Sequence, residues 1–319
     1  MKVPIINHPD YVAQIGDDHR FPIKKFGELI KLLKKDGIAN EQNIFEPKEV
    51  SLDTLHRAHS RYYVEKILKL KLSKDEIRKL GFPLVPSVRR RSLVATGGTV
   101  LASKLALKYS LACNTAGGSH HAFAGQGNGY CVFNDVAVAA LYLKNKFNLK
   151  NILIFDLDVH QGDGTAKILE QYDDIYTVSI HSKKNYPLKK QKSDLDIEIE
   201  NNIEDNEYLE IIKNALVTVN RKKFDFVFYV AGVDIHIDDR IGKMNISTEG
   251  IKKREDLVIN NFVKNKIPLC GVLGGGYNKS FDKLVLLHSF LHRTCDICLL
   301  YTSDAADEGL GVDLGGRRI

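Results

Sequence analysis

The sequence predicts an α/β fold in which a mostly parallel sheet is covered by helices on both faces, and three observations predict it. Apolar, strand-like runs recur at 111–115, 151–155, 175–180, 226–231 and 268–273. Stretches with helical spacing lie near 99–109, 134–147, 165–172, 207–221 and 248–264. Strand alternating with helix requires a crossover before each new strand, so the strands run parallel, and near-continuous apolar strands need cover on both sides. Third, each polar motif in the chain follows directly on one of these strands, where open α/β sheets place their ligand sites.

Each element has a local cause. Phe26, Leu29, Ile30 and Leu33 mark an early amphipathic helix closed by Gly37. Run 111–115 leads into Gly117-Gly118-Ser119-His120-His121. Run 151–155 reads as a buried strand, and side-chain alternation is expected to project Asp156, Asp158 and His160 to one side of its carboxyl end, with Asp163 next. Run 226–231 is followed by Gly232-Val233-Asp234, and run 268–273 by three glycines that let the backbone turn sharply and present Tyr277. Helical spacing returns over 283–293. The remainder from 298, "CLLYTSDAADEGLGVDLGGRRI", has no periodicity and resembles the read-through translation of a sequencing-library adapter. One domain over 1–297 is therefore expected, with 298–319 set aside as non-native.

Composition narrows the function classes. A chain of 319 residues with 44% apolar character can bury a large core. It has no long apolar run, and its polar start does not read as a signal peptide, so a cytoplasmic protein without a membrane segment is expected. Cys113, Cys131, Cys270, Cys295 and Cys298 are odd in number and argue for reduced thiols; the lone Cys295-x-x-Cys298 pair is a poor zinc signature. A net charge of +6 is spread along the chain, with Arg89-Arg90-Arg91 the only run of three arginines, which points to a solvated surface and away from nucleic acid. Oligomeric state is left open.

The polar motifs converge on one chemistry. Two carboxylates and one imidazole, with a fourth position open to water, make a catalytic rather than a structural zinc site, and Asp158, His160 and Asp234 supply that set. A histidine backed by a carboxylate takes a proton and returns it to a leaving amine; His120 and His121 are the candidates. Tyr277 on its glycine-hinged loop suits an oxyanion donor. No lysine directly follows the last of those glycines, as a P-loop would require.

With "HPDYV", "GGSHHAF", "GYCVFNDVAVAA", "FDLDVHQGDG", "TVSIH", "NYPLKKQKSDLDI", "AGVD" with "DDRIG", and "LGGGYN" in this order, residues 1–297 resemble the histone deacetylase family, especially its compact bacterial members related to class IV. The resemblance implies an arginase-like three-layer α/β/α fold and zinc-dependent hydrolysis of an N-acyl-lysine amide. It implies a metal, zinc or alternatively Fe2+, on Asp158, His160 and Asp234. It pairs His120 with Asp156 and His121 with Asp163, makes His121 the general base and acid, and makes Tyr277 the oxyanion donor. A structural K+ or Na+ would sit on Asp156, Asp158, His160, Ser179 and the Ile180 carbonyl. Gly129, Tyr130 and Tyr186 would flank the slot for the acylated lysine of a protein or peptide, or for a small acylated amine. The basic segments "LVPSVRRRSL" and "NYPLKKQKSD" are expected near the entrance, and the family's backbone-clamping acid is not identifiable between Leu72 and Ser92. Acylpolyamine amidohydrolases and acetoin-utilisation proteins share these residues. A two-metal arginase-type site would need an acid where Gly162 stands, and a non-catalytic binding module would lack one of these groups.

Overall fold

The computed structural model describes residues 2–16 and 18–310, residues 301–310 by backbone course alone. In chain order the elements are β1 (Ile5–Ile6), α1 (Lys25–Lys35), β2 (Ile44–Phe45), α2 (Leu52–Leu55), α3 (Arg61–Leu68), α4 (Lys74–Leu80) and α5 (Pro86–Tyr109). Then follow β3 (Leu111–Asn114), α6 (Asp135–Phe147), β4 (Ile152–Asp156), α7 (Asp163–Leu169), β5 (Ile175–Ser182) and β6 (Leu195–Ile199). The chain continues through α8 (Asp205–Val219), β7 (Phe226–Val230), α9 (Thr248–Lys264), β8 (Leu269–Val272) and α10 (Phe281–Leu310).

The eight strands form one sheet in the order β2-β1-β3-β8-β7-β4-β5-β6, and every pairing is parallel. The central strands β4 and β7 are buried along their whole length, as a sheet covered on both faces requires. Helices α5, α6 and α7 pack together on one side, and α1, α10, α9 and α8 on the other, which gives the expected three layers. Ile152, Phe155, Phe226 and Phe228 are fully buried, and each such side chain contributes about 1.5–3 kcal/mol of transfer free energy.

The topology positions the site. After β4, the chain adds β5 and β6 outward, then returns to insert β7 and β8 between β4 and β3. Strands β3, β8, β7 and β4 are thereby consecutive in the sheet, and the four polar segments emerge side by side at its carboxyl edge.

Three expectations need adjustment. The helix expected near 99–109 begins at Pro86, whose fixed φ suits the first helical turn. Strand β4 ends at Asp156, so alternation along a strand does not align Asp158 and His160. The alignment comes from the loop: Asp158 N donates to Asp156 Oδ1 at 3.0 Å and His160 N to Asp158 Oδ1 at 2.9 Å, two successive aspartate-capped turns. The stretch set aside from 298 onward begins inside α10, where Cys298 and Leu299 are buried; 311–319 lie outside the described residues.

Candidate active site

The loop after β3 carries His120 and His121 and is fixed by Asn134, the N-cap of α6. The Asn134 side chain caps Ala137 N at 3.0 Å and donates to the carbonyls of His120 and Ala122 at 3.3 and 3.2 Å. Both histidine rings then meet carboxylates from the neighbouring β4 loop. His120 Nδ1 lies 2.7 Å from Asp156 Oδ2, and His121 Nδ1 lies 2.6 Å from Asp163 Oδ1, while the two Nε2 atoms stand 3.2 Å apart.

Their environments drive the two imidazoles in opposite directions. Burial opposes charge on His120, but Asp156 and Asp158 outweigh it and raise the pKa to about 9. Burial and the charge on His120 push His121 down to about 4 despite Asp163. His121 is therefore neutral near pH 7, the state a general base needs.

Asp158, His160 and Asp234 each present a ligand atom within 4.8 Å of the others, and all three are buried. His160 Nδ1 stands 2.9 Å from Asp158 Oδ1 and 3.1 Å from Asp234 Oδ2. Asp234 Oδ2 is buried yet accepts no well-aligned hydrogen bond. Burial works against a charged His160, but hydrogen bonds to the two carboxylates hold its pKa up at about 10. The pocket thus concentrates negative charge at a point lined with open lone pairs, which fits a divalent cation. Gly275 completes it: a Cβ there would come within 2.1 Å of Asp234 Oδ2, while its N–H donates to Asp158 Oδ2 at 2.5 Å.

Tyr277 follows this glycine turn. Burial, then Asp234 and Asp158, raise its pKa well above the usual phenol value, so it stays protonated and able to donate. Its backbone N–H is held by Asp239 Oδ2 at 2.6 Å. Lys25, buried in the first turn of α1, places its Nζ 3.5 Å from the carbonyls of Gly274 and Gly276. Sequence patterns gave no role to Lys25, Asp239 or Asn134, because each acts on the backbone of a distant loop, a contact that no local spacing encodes.

The mouth is a cleft of about 480 Å³ lined by Gly129, Tyr130, Tyr186 and Tyr277, with Arg78, Lys79, Asn185 and Ile241 among its other walls. The Tyr186 ring stands edge-on to His121, with centroids 4.9 Å apart. Gly129 adopts φ +51°, and a Cβ there would fall 2.9 Å from His121 Cδ2, so only glycine leaves the slot open. Tyr130 follows at φ +65°, a left-handed conformation strained for an aromatic residue. Its N–H bonds Leu80 O at 2.8 Å, which ties the wall to α4.

The structure corrects one entrance expectation. The segment "LVPSVRRRSL" does not line the mouth: Arg89 bonds Leu68 O, Arg90 pairs with Asp10 and Glu49, and Arg91 turns inward. Of "NYPLKKQKSD", Asn185 and Tyr186 reach the mouth, whose basic groups are instead Arg78 and Lys79. Ser179, expected beside a monovalent ion, pairs in register with Asp156 across β4 and β5 and lies 2.9 Å from His181 Nδ1.

A histone deacetylase domain model matches residues 19–289. An uncharacterised protein of Picosynechococcus is 42% identical over 92% of this chain and 98% of its own length. Histone deacetylase 2 of Arabidopsis thaliana is 31% identical, covering 89% of this chain and 77% of that protein. A histone deacetylase homologue from Aquifex aeolicus superposes with a TM-score of 0.77 at 23% identity, over 96% of this chain and 84% of that one, and so shares the fold. The chain therefore belongs to the histone deacetylase family and is a hydrolase of the deacetylase type.

Proposed function

We propose that the protein hydrolyses N-acyl-lysine amides of proteins or peptides, with zinc held by Asp158, His160 and Asp234. The observation that carries this reading is the placement of two His–carboxylate pairs beside a buried three-ligand cluster at the foot of a tyrosine-lined slot. When bound, zinc supplies Lewis acidity, drawing the pKa of water toward about 7 and polarising the acyl carbonyl. His121 accepts the proton of the attacking water and returns it to the leaving ε-amine, with Asp163 fixing its tautomer. His120, paired with Asp156, stays cationic and stabilises developing negative charge. The Tyr277 hydroxyl donates to the oxyanion, and Gly129, Tyr130 and Tyr186 hold the lysine stem. Asp156, Asp158, His160, Ser179 and the Ile180 carbonyl would hold a structural K+ or Na+.

Among the described residues, no carboxylate lines the outer mouth, whereas Arg78 and Lys79 do. A polycationic acylamine meets repulsion there that a peptide does not, which favours acyl-lysine over acylpolyamine. Competition kinetics with metal-loaded protein test this: acetyl-lysine peptides should show higher kcat/KM than acetylspermine or acetylputrescine, most clearly at low salt. Acetylated polyamines outrunning every acyl-lysine peptide would move the protein to the polyamine branch.

Among the described residues, no helix is long and apolar enough to cross a membrane. Cys113, Cys131, Cys270 and Cys295 are buried thiols, in keeping with the reducing cytoplasm. The deacetylase domain is residues 1–297, and 298–319 are a non-native extension.

A further inference from the structure

Behind the mouth, the site continues into an inner cavity of about 40 Å³. At about 10–15 Å³ each, that is room for roughly three waters. His121, His160 and Tyr277 line both the mouth and this cavity, whereas Phe21, Phe26 and Arg91 line only the inner part. Arg91 is only 6% exposed. Its Nε donates to Tyr11 O at 3.0 Å, and its guanidinium carbon lies 4.7 Å from the centroid of the Phe26 ring. Among the described residues it makes no ion pair.

The neighbouring carboxylate does not claim it. Asp135 is saturated by Thr99 Oγ1 at 2.5 Å, Gly118 N at 3.1 Å and Ser119 N at 2.7 Å. Lys25, the other buried cation against Phe21 and Phe26, is likewise without an ion pair among the described residues and is directed at carbonyl oxygens. A buried guanidinium with open donors on a water-sized cavity is a costly arrangement that an anion relieves, and its planar fork matches a carboxylate. The stacked Phe26 ring offsets part of the burial penalty and leaves the in-plane donors available.

We propose that Arg91 forms a carboxylate subsite at the inner end of the cavity, and that the preferred acyl group is a short one ending in a carboxylate, of malonyl or succinyl size. This rests on the acyl-lysine reading above and specifies its substrate class. In the reaction, water adds its hydroxyl to the acyl carbon as the C–N bond breaks. Its remaining proton goes to the lysine amine, and a dicarboxylate leaves.

The test uses metal-loaded, full-length protein and one peptide bearing acetyl-, butyryl-, succinyl- or succinamoyl-lysine, the last having the size of succinyl without its charge. The kcat/KM for succinyl should exceed those for succinamoyl and butyryl by about tenfold or more, and Arg91→Gln should lose that ratio whatever its acetyl rate. Arg91→Lys, which keeps the charge, should retain part of the ratio. Where Arg91→Gln does not fold, the wild type decides: free succinate should inhibit at concentrations about tenfold lower than butyrate does. A succinyl peptide no better than its succinamoyl counterpart, or succinate no better than butyrate, overturns the subsite. Turnover of acetyl- and butyryl-lysine without a succinyl preference removes the subsite and leaves the acyl-lysine reading standing. Calorimetric binding of succinate that depends on Arg91, in a protein that hydrolyses no acyl-lysine, removes that reading and keeps the subsite.

Discussion

His120 and His121 are neighbours in the chain, yet their surroundings give them opposite ionisation preferences, about 9 and about 4. A pair of titratable groups driven apart in this way divides the work between a charged stabiliser and a neutral base. His121→Ala should therefore keep stoichiometric zinc while turnover falls by about two to four orders of magnitude, the usual loss for a general base. Zinc content by mass spectrometry alongside kcat decides it, and loss of the metal would mean that a ligand had been mistaken for a base. Asp158→Ala, His160→Ala and Asp234→Ala make the reciprocal case. Each leaves the other two donors buried around a vacant corner, so each should abolish both zinc binding and turnover. At this scale what the sequence made legible is placement: Asp158, His160 and Asp234, the two His–Asp pairs and Tyr277 each follow a strand and come together at one edge of the sheet. It was silent on Arg91, which reads as one member of a surface basic run. Only the rotation of α5 shows that Arg90 faces Asp10 and Glu49 while Arg91 faces the cavity.

Helix α10 runs from Phe281 to Leu310, past the domain end proposed at 297. Leu284, Leu287, Leu291 and Cys295 form its buried stripe, and Cys298 and Leu299 fall on the same face, three and four residues further on. The stretch proposed as non-native begins with residues that extend this stripe and continue the helix, because propagation adds one hydrogen bond per residue once a helix exists. Removing 300–319 should leave the melting temperature nearly unchanged, whereas removing 298–319 also takes away the buried Leu299, about 1.5–3 kcal/mol. Thermal melts of the two truncations separate the outcomes, and equal melting temperatures would show that Leu299 contributes nothing. The central strands were legible because a parallel sheet makes them uniformly apolar, and β4, β7 and β8 begin within a residue of the expected positions. Strands β1 and β2 escaped notice for the opposite reason. Each is two residues long and is held as a strand by its neighbours in the sheet, with no local pattern of its own.

At the scale of the whole molecule, folding removes several histidines from water without giving them an anion. His59 is buried against the Phe123 carbonyl and accepts Asn134 N–H at 2.9 Å, and burial lowers its pKa to about 4. His292, inside α10, is pushed down to about 4 by burial, and its Nε2 has no hydrogen-bond partner. Neither touches the metal ligands, so both report on folding alone. Above pH 6.5 neither the folded nor the unfolded chain protonates these rings, and they give stability no pH dependence. Below it, the unfolded chain binds a proton at each ring that the folded chain refuses until about pH 4, so stability falls as the solution is acidified through that window. Each ring accounts for about 1.4 kcal/mol per pH unit, or roughly 2 kcal/mol between pH 7 and pH 5. Urea unfolding of wild type and His292→Leu at these two pH values isolates one ring, since all other titrating groups are common to both proteins. The variant should lose about 2 kcal/mol less than the wild type on acidification, whatever its stability at pH 7. Equal losses would show that His292 is charged in the folded protein, and would require an anion beside it that the packing of α10 does not provide.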